Sequence, residues 1–285
     1  MPGLSLFVMN NRKLIQGLVF FFLCLLGSIF LFHQLIPQAP SRISQEELGL
    51  SVNRKFRYLA LGDSLTEGVG DVTGQGGFVP LLAQSLVNEY GYEVDVQNFG
   101  ISGNTSTQIL KRMKENKELK QALKEADLLT VTVGGNDLRK VIIKNLSNLK
   151  LSTFDKPARE YGRNLEKIVK RARQENANLP IYILGIYNPF YLSFPELTEM
   201  QTVVDKWNQT TQHITEKYKD VYFVEINDLL YKGLEGEMGL SQSSSASTNN
   251  LLYEDDHFHP NNTGYEIMKK ALLEKMYETE KSWTP

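Results

Sequence analysis

Cysteine is almost absent from this chain. Its one thiol, Cys24, excludes an internal disulfide framework and any zinc site built on thiolates, so the fold must stand on its core. An excess of charge of one sign is missing too. The 31 Lys and Arg nearly balance 33 Asp and Glu, for a net charge of −2, and no basic stripe of the kind that grips nucleic acid emerges. No internal repeat is found, and long hydrophobic runs number only one. What remains is ordinary: 285 residues, 41% apolar and 22% charged, enough to bury a sizeable core.

The one long run follows Asn10-Asn11-Arg12-Lys13 and extends from Leu14 to Ile36 with no formal charge. About 20 such residues cross a bilayer as a helix, and basic residues ahead of it predict a cytoplasmic N-terminus. A lipoprotein signal wants small residues before its cysteine, whereas Cys24 follows Phe20-Phe21-Phe22-Leu23. Pro37-Gln38-Ala39-Pro40 is a poor cleavage site. The expectation is a short cytoplasmic N-terminus (1–13), a retained transmembrane signal anchor (14–36) and a polar linker (37–53). One extracytoplasmic domain (54–285) follows, secreted if the N-terminal segment is cleaved.

In that domain apolar runs alternate with amphipathic stretches. Strands are expected at Arg57–Leu61, Glu93–Phe99, Asp127–Val133, Ile181–Ile186 and Val221–Ile226. Helices are expected at Phe78–Tyr90, from Asn104 or Thr105 through Met113, at Arg159–Asn176, at Glu196–Tyr218, and after His259 with Pro260 in the first turn. This alternation argues for an α/β fold with a parallel sheet covered on both faces. The stretch from Ser241 to Asn250, rich in Ser and Asn, reads as a mobile loop.

Three strands end in small or amide-bearing residues: Gly62-Asp63-Ser64, Gly100-Ile101-Ser102-Gly103-Asn104, and Gly134-Gly135-Asn136-Asp137. Ligands bind at the carboxyl ends of strands in open α/β sheets, which makes Ser64 a plausible nucleophile or, equally, an ordinary turn residue. The start of the second helix suits an anion. Asn136 either caps a helix or points its amide at a substrate oxygen. Near the C-terminus, Asp256 and His259 stand three apart, so a turn brings them together as base and orienting group. Asp255, Asp256, His257 and His259 are also competent metal ligands; a structural acidic cap is the third reading. Phe78, Phe190, Tyr191 and Phe194 hint at an apolar acyl pocket.

The ordered set Gly62-Asp63-Ser64-Leu65, Gly103, Gly-Gly-Asn136-Asp137 and Asp256-x-x-His259-Pro resembles the GDSL (SGNH) hydrolases, and the similarity spans Phe56 to about Met276. The resemblance implies a three-layer αβα, flavodoxin-like sandwich with five parallel strands in the order 2-1-3-4-5. It implies Ser64 as nucleophile, His259 as base and Asp256 as its support, with an oxyanion hole from the Ser64 and Gly103 N–H groups and the Asn136 side chain. No cofactor or metal is implied. The N-terminal run and the Tyr187-Asn188-Pro189-Phe190 loop are similar to membrane-anchored lipase/acylhydrolase-like proteins of Gram-positive bacteria. The expected activity is a serine esterase acting on acyl lipids, acetylated glycans or small esters. An O-acetyl deacetylase of wall polysaccharide, or a non-catalytic wall- or lipid-binding module, stands as the alternative.

Overall fold

Leu59 and Leu61 of the first strand join one hydrophobic core, while Tyr58 and Ala60 join another. From Tyr58 to its end this strand, β1 (Lys55–Gly62), is buried at every residue. A strand buried on both faces belongs in a parallel sheet with helices on each side. β1 pairs in parallel with β2 (Glu93–Gly100) and β3 (Leu128–Thr132), and β4 (Ile181–Leu184) and β5 (Val221–Val224) extend the sheet beyond β3. The order β2-β1-β3-β4-β5 is the flavodoxin-like one expected from the resemblance, and the architecture is the three-layer α/β sandwich.

The computed structural model describes residues 11–35, 55–145, 150–192, 199–234 and 249–284. The chain divides into two units, Met1–Ser51 and Val52–Pro285. In the first, α1 (Asn11–Leu35) is a 25-residue helix, about 37 Å long at 1.5 Å per residue. Leu18, Phe20, Phe21 and Leu23 are exposed on it. The anchor expected over 14–36 reaches beyond the residues whose side chains are described (15–28). Among the described residues no helix is long and apolar enough to cross a membrane. The expected linker, 37–53, lies outside the described residues.

In the second unit α2 (Ser64–Glu67) follows β1 directly, and α3 (Phe78–Tyr90) leads to β2. The bounds of α3 match expectation because Gly91 adopts a left-handed conformation and returns its N–H to Val87. α4 (Ser106–Glu115) and α5 (Lys117–Glu125) connect β2 to β3, and α6 (Gly135–Lys144) and α7 (Asp155–Glu175) connect β3 to β4. α8 (Glu199–Thr215) leads to β5, followed by α9 (Asn227–Leu230) and α10 (Asn262–Glu278). Residues of α4 to α8 share the core of Leu59 and Leu61, and those of α3, α9 and α10 share that of Tyr58 and Ala60.

Some boundaries differ from expectation. β4 stops at Leu184 rather than Ile186, because the Asn208 side chain takes both the N–H and the C=O of Ile186, each at 2.8 Å. Pro260 is not in the first turn of α10. It sits in a β-bridge opposite Leu252, and Asn261 caps the helix by accepting the Gly264 N–H at 3.1 Å. Of the Ser- and Asn-rich stretch, 241–248 lie outside the described residues. Asn249, at its end, is buried and donates to the Leu230 carbonyl at 2.7 Å.

Candidate active site

β1 leads to β2 on one side of itself, and the chain then returns to β3 on the other. The crevice beyond the carboxyl ends of β1 and β3 is therefore the topological switch point of the sheet. β1 ends at Gly62, where a Cβ would lie 2.2 Å from Thr132 Oγ1 and 2.4 Å from Thr66 Oγ1; only glycine lets these hydroxyls close in. Asp63 caps the single turn of α2 by accepting the Leu65 N–H at 3.1 Å. Gly68 ends that turn in a left-handed conformation, donating to the Ser64 carbonyl. Ser64 thus occupies the first helical position, where a backbone N–H has no intrahelical acceptor.

Thr132, near the end of β3, locks this turn. Its hydroxyl donates to Asp63 Oδ1 at 2.8 Å, receives the Asp63 N–H at 3.3 Å and meets Thr66 Oγ1 at 2.7 Å. All of these groups are buried. Burial raises the Asp63 carboxyl's pKa, against the lowering effect of the Thr132 and Leu65 bonds.

His259 arrives from the far end of the chain on a loop closed by the Leu252–Pro260 bridge. Its Nε2 lies 2.9 Å from Ser64 Oγ, and its Nδ1 lies 2.6 Å from Asp256 Oδ2. The other Asp256 oxygen accepts the N–H groups of Phe258 and His259 at 2.9 and 3.0 Å. Burial works to raise the Asp256 pKa, but the His259 ring and these two N–H groups outweigh it and hold the carboxyl below its usual range. An anion on Nδ1 keeps the proton there and leaves Nε2 as an acceptor facing the serine hydroxyl.

Ser64, Gly103, Asn136, Asp256 and His259 line one groove. Gly103 has φ +77 with open space where a side chain would project, so glycine is needed there for its backbone conformation rather than for room. Asn136 is not a helix cap; Gly134 holds that position for α6. The Asn136 amide donates one hydrogen to the Asn104 carbonyl at 3.1 Å, which leaves its second N–H. The anion site expected at the start of α4 is filled by the chain itself. The Asp137 carboxylate accepts the Ser106 N–H at 2.8 Å and the Ser106 hydroxyl at 2.6 Å.

The neighbours of the Asp–His pair turn elsewhere. Asp255 accepts the Tyr253 hydroxyl, and His257, with φ 49, donates its N–H to the Tyr253 carbonyl. Among the described residues no group of three or more His, Cys, Asp or Glu could hold a metal ion. The expected aromatic pocket is also revised. Phe78 is fully buried in the core, Tyr191 is exposed, Phe190 lines the groove, and Phe194 lies outside the described residues.

Sequence reasoning missed Arg112. Its guanidinium donates to the Phe99 carbonyl at 2.8 Å, to Asn104 Oδ1 at 3.2 Å and, weakly, to the Gly62 carbonyl at 3.5 Å. One side chain therefore braces the ends of β1 and β2 together with the loop that carries Gly103. On α4 it reads as a surface cation, so no local signal marks it. Glu67 braces the same loop by accepting the Ser102 N–H. Thr132 had a faint signal: a hydroxyl interrupting an apolar strand just before its end.

A family model described as the GDSL-like Lipase/Acylhydrolase family matches residues 60–267. The Bacillus subtilis protein YpmR is 35% identical over 216 residues, covering 75% of this chain and 79% of its own. The spore germination lipase LipC of Bacillus licheniformis is 27% identical over 223 residues, covering 76% of this chain and 94% of its own. Among solved structures, the lipase Lip_vut3 from a goat rumen metagenome superposes with a TM-score of 0.63 at 25% identity, over 78% of this chain and 98% of that one.

Proposed function

The chain belongs to the GDSL-like lipase/acylhydrolase family and is a carboxylic ester hydrolase, and from that premise we propose that it works through an acyl-enzyme on Ser64. The observation that carries this reading is the hydrogen-bonded line from Ser64 Oγ through His259 to Asp256 at the switch point of the sheet.

Ser64 Oγ attacks the ester carbonyl while His259 Nε2 takes its proton. The oxyanion is held by the N–H groups of Ser64 and Gly103 and by the second Asn136 amide hydrogen. The tetrahedral carbon then expels the alcohol, which takes the proton from His259. Water repeats the sequence on the acyl-serine and releases the acid. Every step is a proton or acyl transfer among these residues, substrate and water.

The same reading places the domain outside the cytoplasm, held by the N-terminal run. Its support is the sequence: Arg12-Lys13 ahead of the uncharged stretch Leu14 to Ile36. Acyl lipids, acetylated wall glycans and small esters are all within reach of such a site.

Hydrolysis of a p-nitrophenyl ester, with labelling by a fluorophosphonate mapped by peptide mass, tests the mechanism. A label on Ser64 and time-dependent inactivation are expected; turnover with no label on Ser64 would overturn it. Asn136→Ala is expected to lower kcat by about 10²–10³-fold with a much smaller change in KM, because the oxyanion exists only along the reaction path. Arg112→Ala is expected to act on the same step from behind, lowering kcat by about 10–10²-fold through a displaced Gly103 loop. Arg112→Lys should restore only part of this, since an ammonium lacks the fork that reaches Phe99 and Asn104 together. A rise in KM without a fall in kcat would remove Arg112 from this role.

A further inference from the structure

Two spaces of very different size meet at Ser64. The larger is an open groove of about 680 Å³ that holds His259, Asp256 and Gly103, with Ser102, Arg139 and Phe190 on its walls. The smaller, of about 40 Å³, is lined on its apolar side by Leu65, Val133, Ile186, Tyr187, Pro189 and Phe258. Ser64, Asn136, Pro189 and Phe258 line both.

The chemistry proposed above decides which part of the ester enters which space. A tetrahedral carbon on Ser64 carries four groups: Oγ, the oxyanion, the departing alcohol oxygen and the first carbon of the acyl chain. The oxyanion faces Gly103 and Asn136. The alcohol must take its proton from His259 Nε2, and His259 lines the large groove but not the small pocket. The alcohol therefore lies in the groove, and the direction left for the acyl chain is the small pocket, whose walls bear mostly alkyl and aromatic carbon.

The pocket's walls are fixed from behind. Val133 and Ile186 are buried just beyond the ends of β3 and β4, and Asn208 clamps the Ile186 backbone on both its polar groups. The Tyr187 hydroxyl is tied to the Phe258 carbonyl. At about 40 Å³ the pocket is a small fraction of the groove's volume, which favours a short acyl chain over a long one. The groove has room for a much larger group, and the polar residues Ser102, Arg139, Asp256 and His257 line it.

We infer that this site selects short acyl groups, acetyl to butyryl, esterified to a bulky polar alcohol, of which an O-acetylated sugar is the simplest. Val133 and Ile186 set the acyl limit. This rests on the acyl-enzyme reading, and the test separates the two.

Full-length protein in detergent is assayed on p-nitrophenyl acetate, butyrate, octanoate and palmitate. The kcat/KM is expected to peak at acetate or butyrate and to fall by at least 10-fold for octanoate, since a single misfitting methylene in a rigid pocket already costs about that factor. In Ile186→Ala the octanoate-to-acetate ratio should rise at least 10-fold; Val133→Ala is the second variant if that protein does not fold. A wild-type optimum at octanoate or longer would overturn the acyl limit while leaving the serine mechanism intact. For the alcohol, acetate release from a peracetylated hexose should proceed with a higher kcat/KM than from ethyl acetate, and equal values would overturn that half. No turnover on any ester together with no fluorophosphonate label on folded protein is the distinct failure of the acyl-enzyme reading itself.

Discussion

Ser64→Ala is expected to reduce ester turnover by about 10⁴-fold or more with the thermal midpoint nearly unchanged. In the proposed mechanism the Ser64 hydroxyl forms the acyl bond, and the hydroxyls of Thr66 and Thr132 are buried and hydrogen-bonded to each other. The structural cost of removal is small because the side-chain hydrogen bond that Oγ makes is to His259 Nε2, on the wall of an open groove that water can enter. The turn itself is held by Asp63, Thr132 and Gly68, none of which depends on the serine side chain. The check is kcat on p-nitrophenyl butyrate beside a melting curve. Activity within 10-fold of wild type in a folded protein would remove Ser64 as the nucleophile.

His259→Ala is expected to be almost as damaging, about 10⁴-fold, and to be partly rescued by added imidazole, because the deletion opens a space onto the groove. Asp256→Asn makes the sharper comparison. The asparagine oxygen can still accept the Phe258 and His259 N–H groups, so the loop should keep its shape. Its amide would instead donate towards His259 Nδ1, which forces the ring proton onto Nε2, where it faces Ser64 and blocks proton transfer. The expected result is a fall in kcat of about 10²–10⁴-fold with KM and melting point close to wild type. A fall in melting point that accounts for the lost activity would make Asp256 a loop-former only. The wild-type carboxyl is held below its usual range. By linkage, its stabilising contribution is complete above the unfolded value of about 3.9 and is lost as pH falls through the lower folded value. Mild acid therefore leaves this anion in place.

Much of the fold was legible because it is written at short range. Alternation or continuous burial marks the strands, and the apolar spacing of Phe78, Leu82 and Leu86 marks α3. Gly91 marks its end through the left-handed conformation that other residues avoid. Boundaries moved where a distant side chain competed for the backbone: Asn208, from α8, ended β4 two residues early. Pro260 pointed to a helix start, but the next residue's side chain caps better than proline does, and the helix began after it. The site followed the same division. Asp256 and His259 are three apart, and their pairing is a property of one turn. Asn136 was ambiguous, because cap and substrate donor use the same amide, and the Gly134 cap of α6 together with the position of Asn104 distinguishes them.

By itself the sequence determined what depends on near neighbours: five strands, glycines at the ends of three of them, a serine at the first such end and an Asp and a His three residues apart in the last loop. The tertiary structure alone decided what depends on residues far apart in the chain. Ser64 and His259 are separated by 195 positions, and the atoms Oγ and Nε2 lie 2.9 Å apart, because the sheet order puts β1 in its interior and the Leu252–Pro260 bridge closes the loop that carries His259. Arg112 became a brace under the Gly103 loop, Asp137 became the anion at the start of α4, and Val133 and Ile186 became walls of a small pocket. Each of these roles is created by a side chain meeting a backbone from another part of the fold, and no local pattern of residue types encodes such a meeting.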